Sequence, residues 1–89
     1  MNSKEKLTIQ VEKVISKLES DYNSEINNGI YQLLYKRYQN ALDILEKNKD
    51  IREINIIGGV RGYMDSFNDY ENPLLEELYK AEKILKELL

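Results

Sequence analysis

The chain has no cysteine, no histidine and no tryptophan, and its 89 residues include only one proline, one phenylalanine and four glycines. Without cysteine there is no disulfide framework and no thiolate nucleophile. Without histidine the commonest general base and the usual zinc ligand are missing too. The serines at 3, 16, 20, 24 and 66 therefore have no imidazole to activate them, and none stands in a nucleophile-elbow context. Gly58-Gly59-Val60-Arg61-Gly62 lacks both the Walker lysine and the dinucleotide spacing, so phosphate cradling is not indicated. No run approaches the roughly 18 apolar residues that a membrane-spanning helix needs. Met1-Asn2-Ser3-Lys4-Glu5-Lys6 leads into charge rather than an apolar secretory run, which points to the cytoplasm. Net charge is −3 with no strongly basic window, so nucleic-acid binding is not expected.

What is present is helical patterning at globular composition, with 42% hydrophobic and 33% charged residues. The length allows one domain, residues 1–89, with a single modest core. The clearest segment is 73–88. Asn72 suits an N-cap, Pro73 the first helical position, and Leu74, Leu78, Ala81, Leu85 and Leu88 recur at spacings of four and three. Glu76–Lys80, Glu82–Lys86 and Lys83–Glu87 stand four apart, as exposed ion pairs on its outer faces would. A second segment, 30–48, carries Tyr31, Tyr35, Tyr38, Leu42 and Leu45 at the same spacings. A first, 3–26, aligns Leu7, Val11, Val14, Leu18, Tyr22 and Ile26. A third, 51–68, starts at Asp50-Ile51-Arg52-Glu53, a capping box with Asp in place of Ser or Thr. The expected fold is all-α: a small antiparallel four-helix bundle, with a three-helix bundle as the alternative. Residues 7–11 and 54–57 also alternate or run β-branched, leaving a minor α+β alternative in which they are short strands.

Two stretches could carry function. On a wheel drawn through 51–67, Ile54, Ile56, Ile57, Val60, Tyr63, Met64 and Phe67 form a broad apolar face, and Gly58, Gly59 and Gly62 lie opposite. Three helical glycines cost about 2–3 kcal/mol relative to alanine, which a closely approaching backbone beside Gly58 and Gly62 would offset. That backbone could come from the same chain, a second copy or another protein; a break at Gly58-Gly59 is the remaining alternative. Tyrosine is the one abundant aromatic, with seven. Tyr31, Tyr35 and Tyr38 form either the core seam of the second helix or an exposed strip that receives a partner. Lys36-Arg37 beside them is too small a basic patch for single-strand stacking.

The expected role is thus a non-enzymatic regulator or adaptor acting through protein contact or self-association, with no cofactor and no metal. Its expected contact residues are Gly58, Arg61, Gly62, Tyr31, Tyr35 and Tyr38. The competing possibility is a metal-binding or enzymatic domain using Asp65, Asp69 and Glu71, although these lack the alternating ligands of a calcium loop. In size and helical character the chain resembles small bacteriocin immunity proteins, which are cytoplasmic helical bundles working by protein contact. That resemblance is architectural and transfers no residue. Small secreted helical hairpins carry a Trp-x-Gly turn, for which Asn28-Gly29 is only a partial substitute.

Overall fold

A computed structural model describes residues 2–66 and 72–89. Among them there is no strand, and the chain is a four-helix bundle: α1 (Ser3–Asp21), α2 (Gly29–Glu46), α3 (Gly59–Ser66) and α4 (Pro73–Leu88). Each long helix starts where local chemistry supports it. The Asn2 side chain accepts the Glu5 N–H at 2.8 Å, and the Asn72 side chain accepts the Leu74 N–H at 2.8 Å ahead of Pro73. Helix α2 begins at Gly29, whose φ of +53° suits glycine.

Paired residues fix the directions. Lys4 reaches Asn48 and Glu19 accepts from Tyr35, so α1 and α2 run antiparallel. Gln10 donates to Glu77 while Tyr22 meets Asn72, so α1 and α4 are antiparallel as well. Helix α1 lies against both α2 and α4, and the short α3 lies against the same two helices. The core between them holds Leu7, Val11, Val14, Leu18, Leu34, Tyr38, Ala41, Leu74, Leu78, Ala81 and Leu85, all at most 1% exposed. At about 25 cal/mol per Å² of apolar surface removed from water, each fully buried leucine contributes roughly 2 kcal/mol.

The expected seams of the first and fourth segments are core along most of their length, with Leu88 half-buried. In the second, Tyr38 and Leu45 are buried, Tyr31, Tyr35 and Leu42 are half-buried, and the stripe is completed by Leu34, Ala41 and Ile44. Helix α1 is shorter than expected, ending at Asp21, and Tyr22–Asn28 forms turns that leave Tyr22 and Ile26 half-buried.

The third segment needs the larger correction. It is not one helix over 51–68. Asp50 caps a single 3-10 turn over Ile51–Glu53, its side chain accepting from the Arg52 N–H at 3.0 Å. Ile54 is extended, residues 54–56 are irregular and a turn follows at 57–58, with Ile54 and Ile56 buried and Asn55 and Ile57 exposed. At Gly58 φ is +101°, a conformation that L side chains rarely adopt, and α3 begins immediately after it. The Gly58 carbonyl accepts the Gly62 N–H at 2.9 Å, so Gly58 stands at the N-cap rather than inside a helix. The Gly58-Gly59 break is the arrangement found. The residues 7–11 lie within α1.

Candidate functional site

Helix α3 spans only eight residues, and an isolated helix of that length is unstable in water. It is held by a side chain from α4. Glu82 is 7% exposed, and its carboxylate spans the start of α3: Oε1 accepts the Gly58 N–H at 3.0 Å and Oε2 the Val60 N–H at 2.8 Å. The Gly59 N–H between them goes to the Ile56 carbonyl at 3.2 Å. A carboxylate at a helix N-terminus meets unsatisfied donors and the positive end of the dipole together, so Glu82 serves as a cap donated by another helix.

No expected feature marked this residue. Its place in the sequence assigned it to an outer-face pair with Lys86, and the structure turns it inward. Of the three expected pairs on α4, Glu76–Lys80 forms at 3.5 Å. Lys83 and Lys86 make no ion pair among the described residues. Below Glu82 lies Tyr38, fully buried, whose hydroxyl has no hydrogen-bond partner among the described residues. Burial, with the nearby Glu82 carboxylate adding to it, raises the Tyr38 pKa far above the ordinary tyrosine range.

The glycines do not share a groove filled by backbone. A Cβ on Gly59 would lie 2.9 Å from Leu34 Cδ2, and one on Gly62 would lie 3.2 Å from Ile30 Cδ1, both side chains of α2. Around Gly58 a Cβ would meet nothing within 4 Å. The close neighbours of Gly59 and Gly62 are thus α2 side chains of the same chain.

The tyrosines separate into different environments rather than one exposed strip. Tyr38 is core, and the Tyr35 hydroxyl donates to Glu19 at 2.6 Å. Tyr31 is half-buried, stacked on Tyr22 with ring centroids 4.8 Å apart and edge-on to Tyr63 at 5.9 Å. Asn72 Nδ2 donates to the hydroxyls of Tyr22 at 2.6 Å and Tyr63 at 2.7 Å, so the cap of α4 also ties α1 and α3 together.

A groove of about 720 Å³ lies open to solvent between α3 and α4, and another of about 660 Å³ lies between α1 and α4. Ile57 (40% exposed), Met64 (39%) and Tyr79 (60%) line the α3–α4 groove, with Val60 half-buried among them. Six large hydrophobic side chains are exposed among the described residues, and these three surround one groove. Arg61, Lys83 and Lys86 form its rim together with Asp65 and Glu87. Arg61 also has no ion pair among the described residues, as is true of Lys4, Lys6, Lys13, Lys36 and Arg37 elsewhere on the surface.

Asp65 is exposed, and Asp69 and Glu71 lie outside the described residues. Among the described residues no group of three or more carboxylates is placed to hold a metal ion. No helix among them is long and apolar enough to cross a membrane.

Residues 2–89 match the family described as YeeD uncharacterised protein. The chain belongs to that family. A YeeD relative, the "Uncharacterized protein YeeD" of Bacillus subtilis (strain 168), is 33% identical over 89 residues, covering 91% of this chain and 81% of the relative. No solved structure matches the chain. The YeeD match spans both the Glu82 cap and the groove, so the site lies within the shared region of the family.

Proposed function

We propose that this chain is a small non-enzymatic protein, working in the cytoplasm, that acts by receiving another protein on its α3–α4 face. One observation carries the proposal: Ile57, Met64 and Tyr79 converge on a single groove instead of scattering over the surface. Isolated exposed hydrophobics are ordinary on any protein, and the gathering of three at one groove with a charged rim is what supports a contact surface here. Glu82 ties the start of α3 to α4, the two helices that form the groove. The groove's polar groups do not converge as general acid, base or nucleophile would.

The test is capture from native-host extract by the immobilised chain, with the retained protein identified by mass spectrometry. The triple variant Ile57→Ser, Met64→Ser, Tyr79→Ser is expected to lose it, while Ile9→Ser with Leu33→Ser, exposed elsewhere on α1 and α2, is expected to keep it. Equal retention by both variants would remove the α3–α4 face from the function.

A further inference from the structure

We infer that Asn28 is a site of spontaneous modification, at which the folded chain converts a side-chain amide to a carboxylate through a cyclic imide closed by the Gly29 nitrogen. A bond forms between that nitrogen and Asn28 Cγ, and the Cγ–Nδ2 bond breaks. The amide leaves as ammonia, carrying the proton that the Gly29 nitrogen gave up. Water then opens the imide at either carbonyl. One opening leaves aspartate; the other leaves isoaspartate, in which the main chain runs through the side-chain carbon.

The sequence picks out one position for this chemistry. Of nine asparagines, only Asn28 is followed by glycine. The attacking nitrogen belongs to the next residue, where any Cβ crowds its approach, and glycine has none. Asn72 stands before Pro73, whose nitrogen has no proton to give up. Asn23 and Asn27 are exposed on the same turns but precede Ser24 and Asn28, so they serve as internal comparisons.

The structure leaves both reacting groups untied. Asn28 and Gly29 are exposed. Asn28 is the N-cap of α2, yet its side chain makes no cap bond, whereas those of Asn2, Asp50 and Asn72 each accept a backbone N–H. The Gly29 N–H donates to nothing among the described residues, and a Cβ on Gly29 would meet no atom within 4 Å. Solvent base therefore reaches the nitrogen unhindered. Asn28 rests at ψ 140°, so closing the ring turns the Asn28–Gly29 junction out of that geometry. The bond strained by this turn is the Gln32 N–H to the Asn28 carbonyl at 3.2 Å, which lies at the end of α2, where helices fray.

The two products act in opposite directions. Aspartate places a carboxylate at the start of α2, a helix with no acid in its first turn, where free N–H groups and the dipole favour negative charge. Isoaspartate lengthens the main chain by one carbon and takes the carbonyl bonded to Gln32 out of it. The residues that follow are Ile30, which faces Gly62 of α3, and Tyr31, which is stacked on Tyr22 and edge-on to Tyr63. Isoaspartate therefore loosens the seat of α3 as well as the start of α2, and aspartate leaves both in place.

The test ages the whole native chain in mildly alkaline buffer, beside the same chain unfolded in guanidinium chloride. Products are located by peptide mapping with mass spectrometry, and isoaspartate is labelled by protein isoaspartyl methyltransferase. In the native chain, conversion at Asn28 should run at least about tenfold faster than at Asn23 or Asn27, a barrier lower by about 1.4 kcal/mol. Aspartate and isoaspartate should appear together, with an added negative charge on ion exchange. Asn28→Gln should show neither product at that position, because its longer side chain closes a larger, slower ring. The purified isoaspartate form should melt below the unaged chain and shift the amides of Gly62 and Tyr63 in NMR spectra, whereas Asn28→Asp should melt no lower. Conversion confined to the unfolded sample would overturn the inference, as would a native rate at Asn28 no faster than at Asn23. Aspartate without isoaspartate would overturn the ring, since it marks direct hydrolysis of the amide. An isoaspartate form with unchanged melting and unchanged Gly62 and Tyr63 amides would overturn the effect on α3.

Discussion

Glu82 shows how a single side chain changes the meaning of its neighbours. A glutamate four residues before a lysine on a helix is ordinarily an exposed pair worth a few tenths of a kcal/mol. Here the carboxylate bridges two backbone donors of another helix, and the lysine is released to the surface. Replacing Glu82 with glutamine leaves one carbonyl oxygen for two N–H groups and brings an amide N–H₂ toward one of them. Glu82→Gln is expected to lower stability by about 1–2 kcal/mol, the range of a lost cap or an unsatisfied partly buried donor, in a two-state urea titration. A loss below about 0.5 kcal/mol would mean that α3 holds its place without this bond. Tyr38 is the opposite case. Its hydroxyl is desolvated and gains no hydrogen bond among the described residues, so Tyr38→Phe removes a penalty and keeps the ring. That variant is expected to be unchanged or up to about 1 kcal/mol more stable, and a loss above 1 kcal/mol would reveal a partner for the hydroxyl.

At the scale of elements, the glycines of α3 separate two effects that a helical wheel cannot. Gly59 faces Leu34 so closely that an added methyl group must push it away, and overpacking of this kind costs about 1–3 kcal/mol. Gly62 faces only the terminal methyl of the half-buried Ile30, which can rotate, while alanine gains up to about 1 kcal/mol of helix propensity there. Gly59→Ala is therefore expected to destabilise, and Gly62→Ala to be neutral or slightly stabilising, in parallel thermal melts. The reverse order would show that Ile30 is locked and Leu34 free. The bounds of α4 were legible from Asn72, Pro73 and its leucine spacing, because every one of those signals is local, but the inward turn of Glu82 was not. The 51–66 stretch was not. Its apolar spacing fits a helix and an extended run about equally well, and the choice is made by the positive φ at Gly58 and by a carboxylate 24 residues away. Both are tertiary facts. The β-branched run at 54–57 was the visible hint of non-helical backbone.

For the molecule as a whole, the groove's mixed charged rim was invisible for a similar reason. Arg61 and Asp65 meet Lys83, Lys86 and Glu87 only when α3 packs on α4. The apolar part of the groove was half visible: Ile57 and Met64 stood on the expected greasy face, but Tyr79 was not among the expected contacts.

Stability against pH follows from the tyrosines. Burial raises the pKa of Tyr38 and Tyr22, and the bond to Glu19 raises that of Tyr35. Groups raised in the folded state stabilise fully below their unfolded pKa, about 10 for tyrosine, and that stability is lost as pH rises further. Helical circular dichroism is expected to collapse above about pH 10 together with the slow part of the phenolate absorbance, and later in Tyr38→Phe. Phenolate formation by all seven tyrosines at one ordinary pKa, with the helices intact, would contradict the buried placement. On the acid side, Asp21, Asp43 and Asp50 are lowered by their basic partners. Glu77 is lowered too, because Gln10 and Lys80 outweigh its burial. Their contribution is present above about pH 4 and fades below it.

The borrowed cap also divides the molecule in time. Helices α1, α2 and α4 carry most of the mutual packing, whereas α3 is two turns long and is anchored at its start by a carboxylate that belongs to another element. Segments of that kind open on their own, well below the free energy of global unfolding. The amides of α3 should then exchange with solvent as one cooperative unit, ahead of the other three helices. A ligand seated between α3 and α4 would be felt there first, as slower exchange in the shortest helix of the bundle.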